Sequence, residues 1–152
     1  MKYIQFWHKW LLTVTILIIL FGILLMVPNK PELFDRLFND HIETIFWSDT
    51  PITTGIVHFQ RWLYGVLGAT MIGWGIMMAF IIAIPFRRGE RWAWYSIFFG
   101  IGGWYILDTA VSVMYHADFN AFFNSLILLL FLPPLLFTYS SFHTKQRTSI
   151  MV

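Results

Sequence analysis

The chain has 152 residues, 58% of them hydrophobic and 20% aromatic, against 12% charged. Soluble domains carry roughly 45–50% apolar and about 25% charged residues, so this chain would expose more apolar surface in water than a soluble monomer tolerates, and a membrane protein is expected. A formal net charge of +2 is too small to suggest nucleic acid as a partner, and the absence of cysteine excludes disulfides, thiolate metal sites and cysteine nucleophiles.

In chain order, the first candidate span covers about 10–28, through LLTVTILIILFGILLMV, long enough to cross a hydrocarbon core with about 20 apolar residues. Lys2 and Lys9 precede it, as in a signal peptide. The run ends in LLMVPNK with no small-x-small cleavage pattern, so a retained span is expected. The segment 31–47, PELFDRLFNDHIETIFW, places Leu33, Phe34, Leu37, Phe38, Ile42, Ile45 and Phe46 at helical spacing. Pro31 suits a first helical turn, and Glu32 and Asp35 suit its positive end. This predicts an amphipathic helix on the outer membrane surface or folded over the bundle mouth. Its acidic polar face gives it no attraction to anionic lipid.

The second span covers about 56–84, with no charge after Arg61, and carries Gly65, Ala69 and Gly73 at four-residue spacing, with Gly68 and Gly75 nearby. The third covers about 92–114 and carries Ala93, Ser96, Gly100 and Gly103 along one stripe. Helices in lipid approach through small residues, so these two faces are expected to meet across the short turn at 86–91. The fourth span covers about 119–139, and Pro133-Pro134 is expected to kink it and to free backbone carbonyls. The fold class expected is an all-α membrane protein, a single unit over 1–152, with four transmembrane helices and an outer amphipathic helix between spans 1 and 2.

Lysine and arginine near the span ends set orientation. One side holds Lys2, Lys9, Arg87, Arg88, Arg91, Lys145 and Arg147, and the other holds Lys30, Arg36 and Arg61. Both termini are therefore expected in the cytoplasm of a multi-pass cell-membrane protein, with the basic RRGER turn contacting lipid headgroups.

Asp108 is the only acidic residue inside a long apolar run. At membrane depth it costs about 2.5–3.5 kcal/mol on insertion scales, so a partner, a cavity or a proton is expected beside it. If the third helix leaves the core near Met114, Asp108 lies about 9 Å below that boundary. Asn124 lies at similar depth on the fourth span, Ser112 shares the face of Asp108 one turn on, and Thr109 is its neighbour around the helix. Arg61 can snorkel from just above, and His58, His116 and Asn120 sit at the rim. Asp108, Arg61, Asn124, Ser112, Thr109 and His58 form the expected ligand-binding set. The alternative is structural: a buried ion pair with Arg61, or a hydrogen-bonded carboxyl pinning the third helix to the second and fourth.

Histidines invite haem, but His58 and His116 lie at one rim and His8 and His143 at the other, with none mid-span. No haem or other cofactor is expected. His58, His116 and Asp118 lack a metal-site spacing, so no metal is expected either. Nucleotide-loop, zinc-protease and GxSxG motifs are missing. Any chemistry would have to happen inside the bundle or at its mouth, and an enzyme is not the leading reading.

PFRRGERWAW followed by GGWYILDT resembles small four-helix bacterial integral membrane proteins that carry no assigned activity, which implies a bacterial inner-membrane location. In topology alone, four spans with an outer amphipathic segment and an embedded acid resemble the EXPERA group of sterol isomerases and sigma-2-type ligand-binding proteins. That group generally uses more than one embedded acid, and Asp108 stands alone here, so no site residue is carried over.

Three functions follow as expectations. The first is a non-catalytic accessory or lipid-binding bundle, with membrane lipids as partners. The second is a small-molecule or lipid binder, or an isomerase, with an outward-facing polar pocket around Asp108. The third is a proton-coupled transporter with Asp108 as proton carrier, for which four helices would need a homodimer or larger membrane complex to wall a pathway.

Overall fold

The computed structural model describes residues 2–27 and 32–144. Pro28, Lys30, Pro31, Lys145 and Arg147, which bear on the expected span limits, helix start and orientation, lie outside the described residues. Lipid offers no partner to backbone polar groups, so a chain this apolar satisfies them within helices. The described elements are accordingly all helical. α1 covers Lys2–Met26. α2, over 32–46, joins an α-helical turn at Glu32–Phe34, a π-helical turn at Asp35–Asn39 and an α-helix at Asp40–Phe46. α3 is α-helical over Thr54–Ile81 and continues as a π-helical turn through Ile82–Phe86. α4 covers Arg91–Met114 and α5 covers Asp118–Thr144. The segments Gln5–Met26, Thr54–Phe86, Arg91–Met114 and Asp118–Phe142 are each long and apolar enough to cross a membrane. The protein is a multi-pass helical membrane protein with a short helix between its first two spans.

Both tight turns end a helix in the same way. After α3, the Gly89 N–H donates to Phe86 O and the Glu90 N–H to Pro85 O, each at 3.0 Å, with Gly89 at φ +77°. After α4, the His116 N–H donates to Val113 O at 3.1 Å and the Ala117 N–H to Ser112 O at 2.8 Å, with His116 at φ +58°. Each is a Schellman motif, which closes the last carbonyls of a helix through one left-handed residue. Glycine takes that conformation freely, whereas a histidine there costs about 1–2 kcal/mol. His116 is thus a turn residue.

α1 packs along α3, α4 along α5, and α1 along α5, while α3 meets α4 through its π-helical turn and through the rings of Trp74 and Trp104. The expected meeting of glycine faces between the second and third spans is corrected by this arrangement. A Cβ at Gly65, Gly73, Gly100 or Gly103 would meet nothing within 4 Å. The close approach is instead between α3 and α1. A Cβ on Gly68 would collide with the carbonyl oxygen of Gly22, one on Gly22 would lie 2.9 Å from the carbonyl oxygen of Gly68, and one on Gly75 would lie 2.5 Å from Ile19 Cγ1. The reason is which face of α3 is buried. Gln60, Tyr64, Gly68, Gly75 and Met78 share that face, and its two glycines, seven residues apart, leave room for α1 between larger side chains at either end.

Towards the basic turn all four spans share one core, with Leu11, Val14, Ile18, Phe86, Ile97, Phe131 and Phe142 among its buried side chains. The π-helical turn at 82–86 brings α3 against both α1 and α4 there. Towards α2, a smaller cluster of Leu25, Phe34 and Tyr64 joins only α1, α2 and α3. α4 and α5 therefore meet at that end without an apolar core partner from α3, and polar residues occupy their seam.

α5 continues helically through Pro133 and Pro134. Pro134 has no N–H to give the carbonyl of Leu130 four residues back. The Trp10 indole fills that role, donating from Nε1 to Leu130 O at 2.9 Å. One turn on, Trp94 Nε1 donates to Leu135 O at 2.9 Å. Trp10→Phe is expected to cost about 1–2 kcal/mol by leaving a carbonyl unpaired. In a Pro134→Ala background, where a backbone N–H is restored, the same change should cost less than about 0.5 kcal/mol. Equal losses in both backgrounds, read from unfolding in lipid, would dissociate the indole from the proline.

Candidate functional site: the α4–α5 seam

Asp108 lies on α4 six residues before its last residue, Met114, about 9 Å along the axis from that end. Its carboxyl is only partly exposed. Oδ1 accepts three hydrogen bonds, from Asn120 Nδ2 at 2.8 Å, Asn124 Nδ2 at 2.9 Å and Ser112 Oγ at 3.3 Å. The donors are themselves cross-linked. Asn120 Nδ2 also donates to Ser112 Oγ at 2.8 Å, Asn124 Nδ2 to Thr109 Oγ1 at 3.3 Å, and Ser112 Oγ to the Asp108 carbonyl at 2.7 Å. Asn124 is 3% exposed and Ser112 is 5% exposed, so these groups satisfy one another away from water. One turn further from α2, Tyr105 and Ser125 extend the polar seam with hydroxyls 3.3 Å apart.

The structure thus brings together Asp108, Asn124, Ser112 and Thr109 from the expected set, and leaves two members apart. Arg61 and His58 lie on α3, both exposed. Ion pairs join Arg36 to Glu32 and Arg88 to Glu90, and Arg61 does not pair with Asp108. Of the two structural alternatives, the hydrogen-bonded carboxyl is the one formed, and it joins α4 to α5 but not to α3. The cause is again the buried face of α3. Gln60 and Tyr64 occupy it, which turns Arg61 about 100° away. Asn120, which the sequence places only at the rim, supplies one of the two shortest contacts to the carboxyl. Its signal in the sequence is the i, i+4 pair Asn120 and Asn124 opposite the i, i+4 pair Asp108 and Ser112.

α2 covers this end of the bundle rather than lying apart from it. Tyr64 donates to Asn39 Oδ1 at 2.5 Å, and its ring meets Phe34 edge-on with centroids 5.4 Å apart. Phe38 stacks on Phe123 at 5.0 Å and contacts Phe119 at 6.3 Å, while the His41 ring stacks on Phe119 at 5.3 Å. Phe119 and Phe123 immediately precede Asn120 and Asn124. α2 therefore runs from α3 across to α5 and seats one aromatic ring beside the polar cluster.

On the other side of Tyr105, α4 and α5 part to leave a cleft of about 310 Å³, from Phe98 and Leu135 at one end to Tyr105, Ile106 and Leu128 at the other. Gly102 contributes to it by having no side chain, and Leu132 lines its α5 wall. Its lining is apolar apart from Tyr105. Among the described residues, no group of three or more His, Asp or Glu side chains is placed to hold a metal ion.

Comparison of the chain with family models, with curated proteins and with solved structures finds no match. The resemblances carried by PFRRGERWAW, GGWYILDT and the topology therefore extend to the four-span architecture and to no family.

Proposed function

We propose that the protein is a non-catalytic membrane bundle that binds lipid along the α4–α5 seam, with Asp108 bracing the two helices. The observation that carries this reading is the apolar cleft of about 310 Å³ between two membrane-crossing helices, the size and lining of a site for a hydrocarbon ligand. Bracing by Asp108 is supported by the three donors on its Oδ1. Proton carriage has less support, because a carrier must exchange its partners during transport and this carboxyl is cross-linked to both helices. The bias in lysine and arginine favours both termini in the cytoplasm and α2 outside.

Mass spectrometry of the wild-type protein extracted in native nanodiscs tests the reading. One lipid class should be enriched severalfold over the surrounding bilayer. A passenger composition equal to that of bulk lipid would sink it.

A further inference from the structure

We infer that the α4–α5 seam takes a single-chain amphiphile with a small hydrogen-bond-donating head, in the simplest case a long-chain alcohol, with its chain in the cleft and its hydroxyl at Asp108. This deepens the lipid-binding reading and rests on it. The first support is alignment. Ile101, Tyr105, Asp108 and Ser112 follow one another at helical spacing on one face of α4, and Asn120, Asn124, Leu128 and Leu135 do so on α5. The cleft and the polar cluster are therefore successive stretches of one seam, apolar at one end and polar at the other. Tyr105 belongs to both, lining the cleft and contacting Ser125.

The second support is the unequal use of the carboxyl. Three donors converge on Oδ1, whereas Oδ2 has no hydrogen-bond partner among the described residues and is not among the fully enclosed unpaired atoms. One oxygen braces the helices and the other remains open to a ligand. Whether or not the carboxyl carries a proton, Oδ2 retains a lone pair that can accept a hydrogen bond.

Depth and charge then select the head. The site lies about 9 Å inside the end of α4, deeper than a phosphate in the headgroup layer, and drawing a charged phosphate to that depth would cost its hydration. A hydroxyl is small enough and carries the donor. Entry is sideways from the bilayer, because α2 seats Phe38 on Phe119 and Phe123 above the cluster, while the cleft's rim residues Phe98 and Ile106 are 36% and 65% exposed.

The test uses the full chain in phosphatidylcholine nanodiscs, photolabelled with a diazirine-bearing hexadecanol, its methyl ether or its phosphate monoester. The alcohol should label peptides spanning 98–106 and 128–135. The ether, which cannot donate, and the phosphate should each label roughly tenfold less, the effect of losing one hydrogen bond to a carboxyl. Competition by unlabelled hexadecanol against geranylgeraniol separates a straight chain from an isoprenoid one. Gly102→Leu fills the cleft, and because a Cβ at Gly102 meets nothing within 4 Å, the variant should keep its melting temperature while losing the label. Ether labelling equal to that of the alcohol, or unchanged labelling of Gly102→Leu, would overturn the inference. If the alcohol fails to label while a phospholipid is enriched in native nanodiscs, the small-headed ligand is wrong and the lipid-binding reading survives. If neither binds, both fall.

Discussion

Asp108→Ala is expected to destabilise the protein by about 2 kcal/mol, and Asp108→Asn by less than about 1 kcal/mol. The alanine variant removes the oxygen on which Ser112, Asn120 and Asn124 converge. A buried donor left without an acceptor costs about 1–3 kcal/mol, so three such donors could cost far more than 2. Two effects hold the loss down. Each donor keeps a second acceptor: the Asp108 carbonyl for Ser112, the Ser112 hydroxyl for Asn120 and the Thr109 hydroxyl for Asn124. In addition, polar contacts between membrane helices average only about 0.6 kcal/mol, because the unfolded chain in lipid also finds partners. Asparagine keeps a carbonyl oxygen able to take the place of Oδ1, which makes its effect the smaller. Unfolding of both variants in lipid checks the ratio, with Arg61→Ala as the control. Arg61 is exposed and unpaired with Asp108, so its removal should shift stability by less than about 0.5 kcal/mol. Equal losses for Arg61→Ala and Asp108→Ala would show that the carboxyl answers to α3 rather than α5.

Leucine substitutions along α3 should produce a graded series, with Gly68 the most damaging, Gly75 intermediate and Gly73 neutral. At Gly68 the added Cβ meets the backbone oxygen of Gly22, which no change of rotamer can relieve, so α1 and α3 must separate. Overpacking of this kind costs about 1–3 kcal/mol in soluble cores, and here it falls on a backbone-to-backbone approach of α3 and α1. Association in lipid depends on such packing rather than on a hydrophobic drive, so Gly68→Leu is expected to lose about 3 kcal/mol. At Gly75 the obstacle is the Ile19 side chain, which can move in part, and a loss of about 1–2 kcal/mol is expected. Gly73 faces open space, and a leucine there should cost under about 0.5 kcal/mol. Thermal unfolding in nanodiscs reads the order. A largest loss at Gly73 would mean that α3 packs through the other stripe.

The spans and α2 can be read from the amino-acid order alone, because these depend on neighbours in the chain. Twenty apolar residues in a row demand a membrane-crossing helix, and the four-residue spacing of Phe34, Phe38 and Ile42 marks α2 as amphipathic wherever it docks. Glycine at position 89 likewise announces the left-handed turn that follows α3, while His116 takes the same conformation with nothing local to announce it. The depth of Asp108, Ser112 and Asn124 was also legible, since counting residues at 1.5 Å each fixes position along a helix axis. Counting does not fix rotation about that axis. Which faces meet was decided by the tertiary structure. Lipid gives no helix face a hydrophobic bias toward another helix, and α3 carries small residues on two faces, Gly65, Ala69 and Gly73 on one and Gly68 and Gly75 on the other. Gly22, over forty residues away in sequence, selects the second. That choice turns Arg61 outward and leaves Asp108 to the asparagines of α5.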